Sequence, residues 1–187
     1  MKHKWIEQEF KYDGSQLKSL FGYIDHSVLG DSICAWEGAC DIPFEHMVDG
    51  EDLLAQSEIR SAKMLHFIVE KFAISLFAAV LMQRMLAALC LDLLREFVPK
   101  HEAEMERHGD DIFWNDRKLS ISIASLSPVS GMVHFAVNTS NENTPVKTCA
   151  LSDFEIVPRD FAERLMQKFC SEIESSEIAT QKVHWLK

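Results

Sequence analysis

The stretch Gly109–Ser125, GDDIFWNDRKLSISIAS, threads Asp110, Asp111, Lys118, Ser120 and Ser122 between Ile112, Leu119, Ile121 and Ile123. A lysine beside a carboxylate can stabilise negative charge that develops on a small ligand, and hydroxyls can fix how that ligand lies. A histidine within reach can move protons near neutral pH. GMVHFAVNT, at Gly131–Thr139, supplies His134 and the amide of Asn138. The residue types point to a small-molecule site in which Lys118, Asp111 and His134 do the chemistry and Asp110, Ser120, Ser122 and Asn138 line the ligand.

Strands must position these groups. The alternation predicts a hairpin turning at Asn115-Asp116, with Phe113 opposite Lys118, Ile112 opposite Leu119, and Asp111 opposite Ser120. Ile112, Leu119, Ile121 and Ile123 then share one face, as core. Asp111, Lys118, Ser120 and Ser122 share the other. In the following strand His134 and Asn138 lie with Met132 and Ala136, opposite Val133, Phe135 and Val137. Antiparallel sheets commonly show water one polar face, so the residues alone leave two readings open: a solvated face or the floor of a site.

Four further residues are candidates for ligand contact. Asp31 and Ser32 follow Gly30 at a turn into a strand, where they can bond a polar ligand or cap the turn. His66 shares a face with Glu70, which suits an acid/base pair or a plain cross-strand pair; two groups are too few for a zinc site. Arg84 stands among Val80, Ala88 and Leu91 by helical spacing, and a guanidinium there needs a carboxylate or phosphate partner. A structural ion pair and a ligand contact both satisfy it. No metal site is expected.

The remaining elements follow from periodicity. GDSICAWEGACDI, residues 30–42, reads as a short hairpin about Glu37-Gly38, stopped by Pro43. A polar helix is expected over 50–63; MLHFIVEKF, residues 64–72, fits a half-buried strand or the opening of the next helix, and the strand is favoured. From Ala73 to about Phe97 strong helix formers with apolar side chains on most of the circumference predict a long, central helix ended by Pro99. Phe161, Leu165, Phe169 and Ile173 recur every four residues and predict an amphipathic C-terminal helix. Strands, long helix, strands, helix make an α+β fold: a mixed, mainly antiparallel sheet packed against helices. Without repeats or linkers, residues 1–187 read as a single domain.

Composition bounds the function classes. The 187 residues are 47% hydrophobic, enough for a core. A formal charge of −10, from 19 basic and 29 acidic residues, repels nucleic acid and anionic membrane surfaces. Five cysteines, odd in number and without a C-x-x-C pair, suit reduced thiols in a cytoplasmic protein. The N-terminus has no apolar segment of the secretory kind. Gln83 and Arg84 fall at the centre of the apolar run Phe72–Leu94. A guanidinium in mid-bilayer costs at least about 2.5 kcal/mol, so a buried helix is expected there and not a membrane span.

The order and spacing resemble the catalytic domain of biotin protein ligases and the related lipoate ligases. In those families an N-D dipeptide opens a strand, a short turn follows, and an R-K-L-x-G-I-type strand carries a lysine that contacts the acyl ligand and the adenylate. This chain has Asp110-Asp111, then Arg117-Lys118-Leu119-Ser120-Ile121; HFAVNTS resembles the G-I-N-x strand, with Asn138 in the asparagine's place. More closely, LGDSICAW, MLHFIVE, GDDIFWNDRKLSISIASLSPVSGMVHFAVN and TPV resemble an uncharacterised, largely prokaryotic family of unknown function in that ligase-like superfamily.

The resemblance implies a biotin/lipoate ligase catalytic-domain-like fold, Lys118 as the ligand-contacting lysine, Asp111 as its acidic companion, and ATP as a cofactor. Octanoyl transferases of the superfamily use a lysine–cysteine pair, for which Cys149 would be the counterpart. The chain departs from the ligases at their glycine- and arginine-rich phosphate loop: GYIDHSVLGDSICAWEGACD contains no arginine or lysine, and Ile121 replaces a glycine. Two functions therefore stand. One is a transferase or ligase-like enzyme for a small carboxylate, acyl or heterocyclic ligand. The other is a ligand-binding or interaction protein that kept the fold without the phosphate loop. The expected partners are a small-molecule ligand and a second copy in a homodimer, with no nucleic acid and no membrane.

Overall fold

The computed structural model describes residues 1–186. Its main sheet is built from β1 (Lys2–Trp5), β2 (Ser32–Ile42), β3 (Ile59–Phe72), β7 (Ser120–Leu126) and β8 (Ser130–Asn138), in the order β1-β2-β3-β8-β7. Only β1 runs parallel to its neighbour; the other pairs are antiparallel. A small second sheet holds β4 (Met105–His108), β5 (Asp111–Trp114) and β6 (Arg117–Lys118). The mixed, mainly antiparallel α+β arrangement is the one the sequence pattern predicts.

Two helices cover one face of the main sheet. α2 (Leu76–Phe97) starts where Ser75 Oγ accepts the Ala78 N–H at 3.1 Å, an N-cap the serine is suited to make. Its Ala79, Met82, Leu86, Ala87, Cys90, Leu93 and Leu94 recur at helical spacing and are buried with Phe67, Phe135 and Val137 of the sheet. α3 (Pro158–Thr180) begins with proline in its first turn and buries Phe161, Leu165, Phe169 and Ile173, the expected stripe. Full burial of each large apolar side chain is worth about 1.5–3 kcal/mol, so this layer supplies most of the cohesion. α2 is less central than its composition suggests: it shares one layer with α3, and Phe77 and Leu81 on its outer side stay exposed.

Two expected elements take another form. Residues 30–42 are no hairpin: β2 runs unbroken through Gly38, with a register irregularity between Gly38 and Cys40. The Phe10 carbonyl stands where a Cβ of residue 38 would be, and the same carbonyl accepts from Trp36 Nε1 at 3.0 Å. Gly38 thus marks a close backbone crossing instead of a turn. The helix expected over 50–63 stops early. α1 spans only Gly50–Ala55, and from Ile59 the chain pairs with β2, making β3 14 residues long. Ladder pairing overrides local helix preference here.

The face assignment around Lys118 also needs correction. Phe113 pairs with Lys118, and the Leu119 N–H donates to the Ile112 carbonyl at 2.8 Å, as the hairpin register requires. At Leu119 the chain then changes sheets. Ser120 pairs with Val137 and Ser122 with Phe135, on the helix-covered side, whereas Ile121 pairs with Ala136 and Ile123 with His134, on the opposite side. Alternation slips by one residue at the crossover, where Ser120 Oγ accepts the Ile112 N–H at 2.9 Å in place of a lost ladder partner.

Candidate functional site

The uncovered face of β3, β8 and β7 holds a second core of different character. Tyr12, Trp36, Met64, Ile68, Met132 and Ala136 pack there, with His66 and His134 buried among them. β3 and β8 place these histidines diagonally: His66 is opposite Ala136, and His134 opposite Ile68. His66 Nδ1 lies 3.1 Å from His134 Nε2, and His66 Nε2 lies 3.2 Å from the Gly38 carbonyl. Tyr12 stacks on His134 with ring centroids 3.6 Å apart, and Trp36 stacks on His66 at 5.1 Å. Burial pushes the His66 pKa down to about 4 and holds His134 well below the ordinary imidazole range, with His66 adding to the effect. Both rings are neutral at pH 7.

Above them opens a cavity of about 450 Å³. Its floor includes Tyr12, Met64, Ile121, Ile123 and His134; its walls come from the 42–61 segment, the 144–148 loop and the 110–122 strands. Lys118 Nζ meets Asp111 Oδ2 at 2.8 Å on one wall, each side chain about one-third exposed (32% and 31%). Asp49, Glu51 and Asp52 of the α1 region also line the cavity. Asp49 caps α1, accepting the Glu51 and Asp52 N–H groups at 2.8 and 3.3 Å. The Asp52 carboxyl is raised above its usual value by burial and by Asp49, against the pull of Lys118.

The sequence candidates divide sharply by position. Asp110, Asp111, Lys118, Ser120, Ser122, His134 and Asn138 all border the cavity. Several of them are already committed to the protein. Asp110 receives Gln83 Nε2 at 2.8 Å and Ser122 Oγ at 2.6 Å, and pairs with Arg84 at 3.3 Å. Asn138 Nδ2 donates to the Lys118 and Cys149 carbonyls, each at 3.3 Å, tying the 149 segment to β6. Arg84 therefore takes the structural role of its two readings. Its guanidinium lies over Gly109, whose φ of +68° and missing Cβ leave the space.

Asp31, Ser32, His66 and Glu70 do not border the cavity. Asp31 accepts from Lys71 at 2.7 Å and from the Phe72 N–H at 2.9 Å, and Ser32 is buried beside Gly22. His66 and Glu70 form no acid/base pair: Glu70 accepts the Leu20 N–H at 2.9 Å and Ser130 Oγ at 2.7 Å. Cys149 is buried, its thiol pushed up to about 11, with Sγ 3.4 Å from the Arg117 carbonyl; it lacks the thiolate character of a nucleophile. Among the described residues no cluster of three histidines, cysteines or carboxylates is arranged for a metal.

Tyr12 and the α1 acids escaped sequence reasoning. One signal for the histidine pair was present: MLHFIV and MVHFAV set a histidine in the same apolar context in two strands that could be neighbours. The residues also bear on ATP. A triphosphate needs free cations or a row of backbone N–H groups. Lys118 and Arg60, the lysine and arginine at the cavity, are paired with Asp111 and Glu58, and Asp49, Glu51 and Asp52 add negative charge to the lining. These residues do not fit a triphosphate.

Known proteins share the architecture. A protein of unknown function from Pyrococcus horikoshi is 35% identical and superposes with a TM-score of 0.90 over 99% of this chain and 100% of its own. A biotin protein ligase from Aquifex aeolicus, solved with biotin and ATP, superposes at 0.59 over 92% of this chain and 70% of the ligase, with 10% identity. A lipoate-protein ligase A bound with ATP gives 0.51 over 92% and 85%, with 15% identity. At such identities the likeness concerns the fold alone. An uncharacterised protein of Methanocaldococcus jannaschii is 27% identical over 180 residues, 92% of this chain and 80% of that protein. Residues 1–184 match the family described as "Domain of unknown function (DUF366)", and the chain belongs to that family.

Proposed function

We propose that this chain is a transferase or ligase-like enzyme for a small carboxylate or acyl ligand, which lies in the cavity on the open face of the sheet. One observation carries the reading: a lysine and its carboxylate partner sit on the wall of a concavity whose floor holds a buried, neutral histidine. Polar groups that converge on a hollow with a partly apolar floor are what ligand sites are made of. Lys118 would donate to the ligand's carboxylate or acyl oxygen and offset the charge that builds there. Asp111 would hold the ammonium in place. No step is assigned to ATP. The five free thiols suit a cytoplasmic location for this activity.

A second reading, a ligand-binding protein without catalysis, is favoured by the closed Asp110 and Asn138 networks and by the burial of Cys149, which leave no activated nucleophile at the cavity. Calorimetric titration with a panel of small carboxylic acids and their thioesters separates the readings. The expected result is binding that Lys118→Ala weakens by at least roughly tenfold, the loss of one charged hydrogen bond. ATP–pyrophosphate exchange should be absent. Acyl transfer by the wild type supports the enzyme; tight binding without turnover supports the second reading. Equal affinity for Lys118→Ala and wild type would sink both roles for this lysine.

A further inference from the structure

The histidine pair fixes its own tautomers. A carbonyl only accepts, so His66 Nε2 carries the proton that goes to Gly38. In the neutral ring His66 Nδ1 is then a bare acceptor, and His134 Nε2 must donate to it. That leaves His134 Nδ1 with a lone pair and no protein partner among the described residues, on a ring 1% exposed that borders the cavity. A bare ring nitrogen on a residue that borders the cavity is an acceptor that a ligand donor can fill.

The charge around the cavity agrees. Lys118 is matched by Asp111 and Arg60 by Glu58, while Asp49, Glu51 and Asp52 face the hollow with no cation within salt-bridge distance. Asp52 in addition has no side-chain hydrogen bond among the described residues, unlike Asp49, which caps its helix. The apolar surface between them, from Met64, Ile121 and Ile123, can take a flat ring.

We infer that the ligand of this cavity carries a cationic nitrogen group of the amidine or guanidine class, which donates an N–H to His134 Nδ1 and is neutralised by Asp52. The inference rests on the cavity being the ligand site and adds a positive charge to the ligand beside Asp52. It departs from what a phosphate-binding ligase site would select.

Three isosteric probes test it: benzamidine, benzamide and benzoate, followed by NMR of the protein with nitrogen-15-labelled histidine. In the free protein the His134 ring should read as Nε2-protonated with Nδ1 bare. Benzamidine should shift the Nδ1 resonance and bind at least roughly tenfold more tightly than benzamide, as expected for a charge-assisted hydrogen bond. Asp52→Asn, at a partly buried position that touches neither histidine, should remove that preference. An Nδ1-protonated His134 in the free protein overturns the inference. So does benzoate perturbing Lys118 while benzamidine leaves His134 unmoved, although the proposed function would survive that outcome. No perturbation of cavity residues by any of the three removes both.

Discussion

One strand shows how differently the two faces of the main sheet are used. Along β3, Leu65, Phe67 and Val69 turn to the helices and join an apolar core, whereas Met64, His66, Ile68 and Glu70 turn the other way. The helix-covered side is filled by interdigitating apolar side chains, with the buried thiols of Cys90 and Cys149 among them. The open side buries two imidazoles and a carboxylate, each bonded to specific partners, and His134 among them borders the cavity. Buried polar groups are tolerated only when bonded, so the open face trades cohesion for fixed geometry. Stability should therefore respond to packing on one side and to protonation on the other.

The largest effect belongs to the packed side. Phe161 of α3 is fully buried and packs against Phe97 with ring centroids 5.7 Å apart. Phe161→Ala should cost about 3–5 kcal/mol of unfolding free energy, measured by urea denaturation, because its neighbours in the helix-covered core, Phe97 among them, cannot all collapse into the void. A cost below about 1 kcal/mol would mean that this layer is not the main source of cohesion.

Protonation should strike the other face. The unfolded chain takes up protons on its histidines near their ordinary value of 6.5, while the folded chain resists until His66 titrates near 4, with His134 likewise held well below its ordinary value by burial. The folded values are depressed and the charged form is the penalised one, so stability is fully present above about pH 7 and is lost as pH falls from 6.5 towards 4. His66 alone represents on the order of 3 kcal/mol across that window. Urea midpoints measured from pH 8 to pH 4.5 should fall in that interval. Phe161→Ala should lower the whole curve and leave its slope unchanged. A slope that changes with Phe161→Ala would show the two faces to be energetically coupled.

The asymmetry also explains what the sequence could disclose. Apolar period reports packing, so α2, α3, β8 and the 113–118 hairpin pairing were legible from residue type and spacing. Gly38 misled because glycine serves turns and close crossings alike, and only the Phe10 backbone distinguishes them. The slip at Leu119 was hidden for a related reason. Strict alternation assumes one continuous strand, while the chain passes there from the small sheet to the large one. Lys118 and Asp111, before the crossover, kept the side assigned to them; Ser120 and Ser122, after it, did not. Tyr12 and Asp52 reach the cavity from segments far away in sequence, and no local pattern announces such an approach.

The smallest stability effect should come from the residue with the largest proposed role. Lys118 and Asp111 are each about one-third exposed, and ion pairs so placed contribute roughly 0–1 kcal/mol, because water screens the charges and two side chains must be held still. Lys118→Ala leaves Asp111 in reach of water, so no stranded charge results. The backbone of residue 118 keeps its own ties: its N–H donates to the Lys147 carbonyl at 3.1 Å, and its carbonyl accepts from Cys149 and Asn138. Truncation at Cβ removes none of these. The melting temperature of Lys118→Ala should accordingly stay within about 3 °C of the wild type, the shift that a fraction of a kcal/mol produces in a chain of this size. Scanning calorimetry of the two proteins in one buffer checks it. A drop as steep as that of Phe161→Ala would assign Lys118 to the architecture and leave the α1 acids as the cavity's ligand contact.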